Sequence, residues 1–344
     1  MLDPRNAYMS AYLKAEEPKM VGASHIDRLS RVTNVTDAIG VIRETDIGSY
    51  LEGVTVRNFD DIDRALWDYL AGRIAHIEAF RYMPDEMRRV SRAFVVKFDV
   101  ANVKSTLQGI VTGEKTPLLP LGLIHDAGFS TELQESETVQ DVADLLTRSR
   151  LPDFAPAVKA YDPAGGAKAK IALESALESG YYHGLLKTSR GVREGAVLAK
   201  AYGMVIDLAN LAIVSRAVVE GIGPAAADFL ITDGYIIEEK MLRDVLPYKL
   251  PDIPRRIDLP QYRDLANEIA SAYDKTKSVT VIDEVIERHK FAALRDLLSP
   301  RVLSPLVVAW YLVLKEAEVR NLRLILKAIY DGVAVEEVKR YLLL

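Results

Sequence analysis

Residues 315 to 332 read KEAEVRNLRLILKAIYDG, a helical stretch in which Glu318 and Asn321 sit one turn apart at the edge of the apolar stripe. The same arrangement stands twice more, in FDVANVKSTLQGIVTG (98 to 113) and IDLANLAIVSRAVVEG (206 to 221). All three fit acid-x-x-Asn-x10-Gly, with Asp99, Asn102 and Gly113, then Asp207, Asn210 and Gly221, then Glu318, Asn321 and Gly332. The asparagines lie 108 and 111 residues apart, so three tandem units, 1–115, 116–225 and 226–344, account for the 344-residue chain.

Apolar positions travel with the polar ones: Val100, Leu208 and Val319; Val103, Leu211 and Leu322; Ile110, Val218 and Ile329. A second helix recurs upstream, with Leu66 and Val285 placed 36 residues before their asparagine and Leu173 placed 37. Downstream, a glycine opens a short helix in GFSTEL (128 to 133), GYIIEE (234 to 239) and GVAVEE (332 to 337), the last without an intervening loop, as befits a truncated terminal unit. On a helix an acid and an Asn at i and i+3 are neighbours. The amide can donate to the carboxylate, or both can bond a backbone group of the next unit. The glycine suits the left-handed position beyond a helix end. One copy would be ordinary helix surface; three matched copies make a register device between packed units.

The remaining periodic segments are helical as well. Leu66, Leu70, Ile74 and Ile77 share one face of residues 63 to 79, and amphipathic stretches run over 86–110, 167–186, 192–220, 281–298, 305–330 and 336–343. TVRNF (55 to 59) and SVTVI (278 to 282) are too short to found a sheet. The expected class is all-α. Loops fall where Pro and Gly cluster, at 113–122, 151–156, 161–166, 221–224 and 246–260.

Composition narrows the function. With 49% hydrophobic and 27% charged residues and a mean hydropathy of +0.04, this is an ordinary folded chain. A net charge of -5 leaves no basic footprint for nucleic acid. The absence of cysteine removes disulfides, thiolate zinc sites and a thiol nucleophile, and suits an intracellular chain. The opening MLDPRNAYMSAYLKAEEPKM lacks the form of a signal peptide. The apolar run 302–314 is too short to cross a bilayer, and 201–219 is broken by Asp207, Asn210 and Arg216, so no transmembrane segment is expected.

The three units and the C-terminal KEAEVRNLRLILKAIYDG resemble the C subunit of archaeal A-type and bacterial V-type ATP synthases, the relative of the d subunit in vacuolar ATPases, over essentially the whole chain. Two departures stand out: Tyr8 is followed by MSAYLKAEEPKM with only Lys14 and Lys19 where relatives carry a more basic segment, and Ala212 stands where the other units have Lys104 and Arg323. The resemblance implies a funnel with approximate threefold internal symmetry. It implies a non-catalytic, cofactor-free adaptor, peripheral on the cytoplasmic face of the membrane, joining rotor-stalk subunits of D/F type to the proteolipid ring.

Catalytic readings fare worse. NFDDIDRAL (58 to 66) offers Asp60, Asp61 and Asp63, whereas all-α isoprenyl diphosphate synthases hold Mg²⁺ with two DDxxD clusters. Here the spacing is DDxD and no second cluster follows, so Asn58 or Asp60 is expected to cap the next helix. GIVTGEKT (109 to 116) fails as a phosphate loop because Glu114 interrupts Gly-Lys-Thr, and GIGP (221 to 224) lacks the third glycine of a dinucleotide fingerprint. His25, His76, His125, His183 and His289 show no metal-ligand spacing. A generic helical scaffold remains the third reading, with LPYKLPDIPRRIDLP (246 to 260) as its docking loop.

Overall fold

The computed structural model describes residues 4–344; Met1–Asp3, part of the N-terminal stretch read above, lie outside the described residues. The chain is all-α, with no strand among the described residues. TVRNF runs into the start of a helix and SVTVI begins another. Six long helices carry the architecture: α1 (Phe59–Ala79), α2 (Asp85–Thr112), α3 (Gly166–Ser189), α4 (Gly195–Val219), α5 (Thr280–Leu298) and α6 (Val307–Tyr330). The acid-Asn motif lies on α2, α4 and α6. The second helix of each unit is α1, α3 or α5.

Local chemistry sets their ends. Asn58 caps α1 by accepting the Asp61 N–H at 3.1 Å, and the Asp61 carboxylate bonds back to the chain before it. Gly113, Gly221 and Gly332 follow the three motif helices with φ of 77°, 71° and 71°. In the second and third units the N–H after the glycine reaches a carbonyl five residues back, Ile222 to Ala217 and Val333 to Ala328, each at 2.8 Å.

The helices form hairpins α1–α2, α3–α4 and α5–α6, and each motif helix also packs on the second helix of the following unit: α2 on α3, α4 on α5, and α6 back on α1. The apolar residues show the same cyclic order. Val103 shares a buried cluster with Leu173, Leu211 with Val285, and Leu322 with Leu66. Each joint is roofed by the segment after its motif helix. Residues 118–158 cover the first joint and 226–269 the second. The N-terminal helices Pro4–Glu16, Ala23–Leu29, Val35–Val41 and Asp46–Glu52 cover the third.

The helix α4 is the one described segment long and apolar enough to cross a membrane, with a mean hydropathy of 1.6 over its most apolar window, yet 78% of that window is buried against the rest of the chain. It is the core helix, packed by α3 and α5. At the opposite end from the C-cap glycines the three hairpin loops meet. Arg89 donates to the Gly191 carbonyl at 2.7 Å, the Arg193 N–H donates to Glu86 at 2.9 Å, Arg301 lies 3.7 Å from Glu194, and Ser10 donates to the Val302 carbonyl.

Candidate functional site

The motif side chains do not pair with each other. Each asparagine instead grips one backbone residue of the segment that follows, donating its amide to the carbonyl and accepting the N–H of the same residue. Asn102 holds Leu119 at 3.0 and 2.8 Å. Asn210 holds Ile231 at 2.8 and 2.8 Å, and Asn321 holds Leu343 at 2.8 and 2.8 Å. Only a carboxamide offers donor and acceptor in this fork.

Each acid takes the next grip. Asp99 accepts the N–H groups of Leu123 and Ile124 at 2.8 and 2.9 Å. Asp207 accepts those of Tyr235 and Ile236, both at 3.0 Å, and the Tyr262 hydroxyl at 2.9 Å. In the first two units the acid's grip thus begins four residues after the asparagine's. Glu318 departs: it accepts the Val21 N–H at 2.7 Å from the N-terminal segment, and the ammonium of Lys315 stands 2.9 Å from its other oxygen. All three acids are buried.

These grips require a backbone without a side chain beside the carboxylate. A Cβ on Gly122 or on Gly234 would lie 2.3 Å from Oδ1 of Asp99 or Asp207. Gly122 is therefore the counterpart of Gly234 in the first unit, a correction to the motif spacing, which matched Gly128 of GFSTEL. Gly122 also has φ of 108°, so Gly122→Ala meets strain and collision together. We expect a loss of about 2 kcal/mol, readable as a fall in denaturation midpoint. An unchanged midpoint would show that the loop slides away freely.

Burial pushes the Asp99 carboxyl up to about 7, against the lowering effect of the Ile124 and Leu123 N–H groups. In the unfolded chain the same group titrates near 3.8. The folded state therefore holds the proton more tightly, and stability from this site falls as pH rises from about 4 to about 7 and is flat above. Asp99→Asn does not titrate. Its stability relative to wild type should rise across that window, and melting curves at several pH values check this; parallel curves would place the ionisation elsewhere.

An ion pair crosses each joint as well. Lys104 reaches Glu178 on α3 at 2.7 Å, and Arg323 reaches Asp63 on α1 at 2.5 Å. At the middle joint, where Ala212 leaves the equivalent place without a charge, Arg216 one turn on lies 4.0 Å from Asp283 on α5 and 2.8 Å from Glu174. Matching residues at fixed positions misses this substitution by an adjacent turn.

Inside the helix ring, α2 to α6 line a partly open cavity of about 240 Å³, with Phe94, Tyr181, Tyr202 and Phe291 and a charged set in its wall. Lys290 pairs with Glu287 at 3.1 Å, Arg320 with Glu287 at 2.9 Å, and Lys97 with Glu316 at 2.6 Å. Burial pushes the Glu287 carboxyl up, but Lys290, Arg320 and Lys97 outweigh it and hold the group well below the usual range. The lining sets four cations, Lys97, Lys104, Lys290 and Arg320, against three carboxylates, Glu178, Glu287 and Glu316, so its charges are paired with one cation in surplus.

The acidic stretch of the diphosphate reading is spent on structure. Asp61 accepts from Arg57 and Asn58 N–H groups, and Asp63 pairs with Arg323. Among the described residues no His/Asp/Glu group is arranged to hold a metal ion. Each histidine has a polar partner: His25 Glu44, His76 Tyr12, His125 Ser130, His183 Thr232 and His289 Glu268. The 246–260 connection turns its apolar side chains Leu246, Leu250, Ile253 and Ile257 inward, where they pack in the core of the second joint.

Known proteins are similar to this chain over most of its length. The family described as ATP synthase (C/AC39) subunit matches residues 9–341. The chain belongs to that family. It is 25% identical to the C subunit of the A-type ATP synthase of Methanocaldococcus jannaschii over 98% of this chain and 86% of that protein. It is 24% identical to the corresponding C subunit of Methanobrevibacter smithii, over 93% and 83%. With that of Thermococcus onnurineus the identity is 23%, over 97% and 88%. As a C/AC39 subunit the chain is a structural part of an ATP synthase and not an enzyme by itself. The resemblance carried by KEAEVRNLRLILKAIYDG points the same way.

Proposed function

We propose that this chain is the rotor adaptor of an A-type or V-type ATP synthase. It joins central-stalk subunits of D/F type to the membrane proteolipid ring and carries torque between them during ATP-linked proton or sodium transport, from the cytoplasmic face. The observation that supports this most is the repeated joint. Three units, read as equivalent parts of a funnel with approximate threefold symmetry, are each joined to the next by an apolar seam and an ion pair, while an asparagine fork and a buried acid on each motif helix hold the backbone segments packed over it. A torque-bearing part has to resist shear between its units, and directional bonds across every seam supply that resistance where apolar contact alone permits sliding.

The test removes the chain from the assembled complex. ATP-driven ion pumping should disappear while ATP hydrolysis by the catalytic head persists, and adding the protein back should restore pumping. Pumping at the normal rate without the chain would end this reading. The isolated protein is also expected neither to bind nor to hydrolyse nucleotide, since GIVTGEKT and GIGP both fail as phosphate motifs; calorimetric detection of micromolar ATP binding with Mg²⁺ would count against that.

A further inference from the structure

The hairpin end carries a surface that the adaptor's internal joints leave unused. Tyr8, Tyr82, Val302 and Leu303 stand there 50%, 54%, 43% and 59% exposed. Two contacts hold them in one patch: the Tyr8 and Tyr82 rings lie 6.0 Å apart edge to face, and Ser10, two residues on from Tyr8, donates to the Val302 carbonyl. Around these apolar tips the segments 80–89, 190–194 and 299–305 bring six arginines against three carboxylates, in a chain whose net charge is -5. Glu194 is answered by Arg301. The other arginines are not spent on acids: Arg81 lies over the Tyr82 ring, and Arg88 and Arg89 donate to backbone carbonyls. One guanidinium nitrogen of Arg193 is shielded from solvent with no partner in the chain. The opposite end also exposes apolar side chains, Val111, Tyr330 and Val333. Its segments 55–63, 108–116, 162–170, 216–224, 274–283 and 327–335, however, set eight basic residues against nine acidic ones, so it offers no surplus of positive charge. Lys168 and Lys170 stand exposed at that end.

We propose that the hairpin end seats on an anionic lipid surface, with the exposed Arg81 and Arg190 taking headgroup phosphates while Leu303, Val302 and the tyrosines enter the interfacial layer. Guanidinium forks match phosphate oxygens, and aromatic rings with a polar tip favour the depth of the headgroups. Short apolar tips with arginines around them give reversible attachment that depends on both terms, since either alone is weak. The inference deepens the adaptor reading by adding lipid beside the proteolipid ring to what its membrane-side face touches, and it rests on that reading only for the direction in which the end points.

The experiment is flotation of the full chain with vesicles of equal parts phosphatidylglycerol and phosphatidylcholine, and with phosphatidylcholine alone. Binding to the anionic vesicles is expected, with a decline at high salt. Arg81→Glu with Arg190→Glu should weaken it about tenfold or more, Arg81→Lys with Arg190→Lys should retain most of it, and Leu303→Ser should weaken it without changing salt dependence. Lys168→Glu with Lys170→Glu, the same change of charge at the other end, should leave it intact. Melting temperature is followed for all variants, and these surface changes should not move it. No binding to anionic vesicles, equal binding to neutral ones, or an equal loss in the lysine control would overturn the proposal. So would arginine variants that lose attachment to the proteolipid ring while wild-type protein ignores lipid, because the face would then be a protein-binding one. Ring attachment in the assembled complex is measured separately: vesicle binding absent with ring attachment intact sinks only the lipid inference, and the reverse sinks the adaptor reading.

Discussion

Replacing Lys315 with methionine should destabilise the protein by about 3–5 kcal/mol, the cost of leaving one member of a buried ion pair alone. Lys315 is 0% exposed, and its ammonium has two partners, the Tyr69 hydroxyl at 2.8 Å and Glu318 at 2.9 Å. It also lies over the Tyr69 ring at 5.2 Å. Methionine fills a similar volume, so the loss measures charge and not a cavity. Glu318 would keep only the Val21 N–H. Burial already pushes its carboxyl up, and Lys315 is the first group that opposes this. Without the lysine the carboxyl rises further and is protonated in the folded state at higher pH, so the deficit of the variant should shrink as pH falls. Lys315→Met with Glu318→Gln should recover part of the stability, because no uncompensated charge remains. Denaturant unfolding of both variants at neutral and mildly acidic pH checks all three statements. A deficit under about 1 kcal/mol, insensitive to pH, would mean that water reaches this pair.

The asparagine series should show the next largest effect. In Asn102→Leu, Asn210→Leu and Asn321→Leu the volume is nearly kept, but the N–H and carbonyl of Leu119, Ile231 or Leu343 lose their partners together. An orphaned buried group costs about 1–3 kcal/mol, so two of them cost roughly 2–5 kcal/mol. The order follows burial. Both Asn210 and Ile231 are buried, whereas Leu119 and Leu343 are partly exposed and can turn to water. Asn210→Leu is therefore expected to melt lowest. The reason differs from the one that motif spacing alone suggests, where the acid would lose its donor; here the acids keep their own backbone partners and the released groups belong to the backbone that each fork holds. In the assembled complex these variants should weaken stalk-to-ring coupling while hydrolysis by the head continues. Melting curves for the three that overlay wild type would show the forks to be idle.

The helical class, the three motif helices and their left-handed glycines were legible because each is written in local spacing: a stripe at 3 and 7, an acid and an amide one turn apart, a glycine where φ turns positive. The cap of α1 was legible for the same reason. Thr138 and Asp141, whose mutual bonds open the helix Val139–Arg148, carry an equally local signal. What the motif grips was not legible in principle. Its partners are backbone groups, which leave no residue type in the sequence, and they follow their asparagines by 17, 21 and 22 residues across loops of different composition. Nor does any local pattern say that Val21 answers Glu318 from 297 residues away, or that α6 closes on α1. Sequence periodicity made three similar units, because side-chain spacing along a helix acts over a few residues. Their closure into a ring belongs to the tertiary structure alone, because it is decided by which apolar faces meet and which buried backbone groups must then be satisfied.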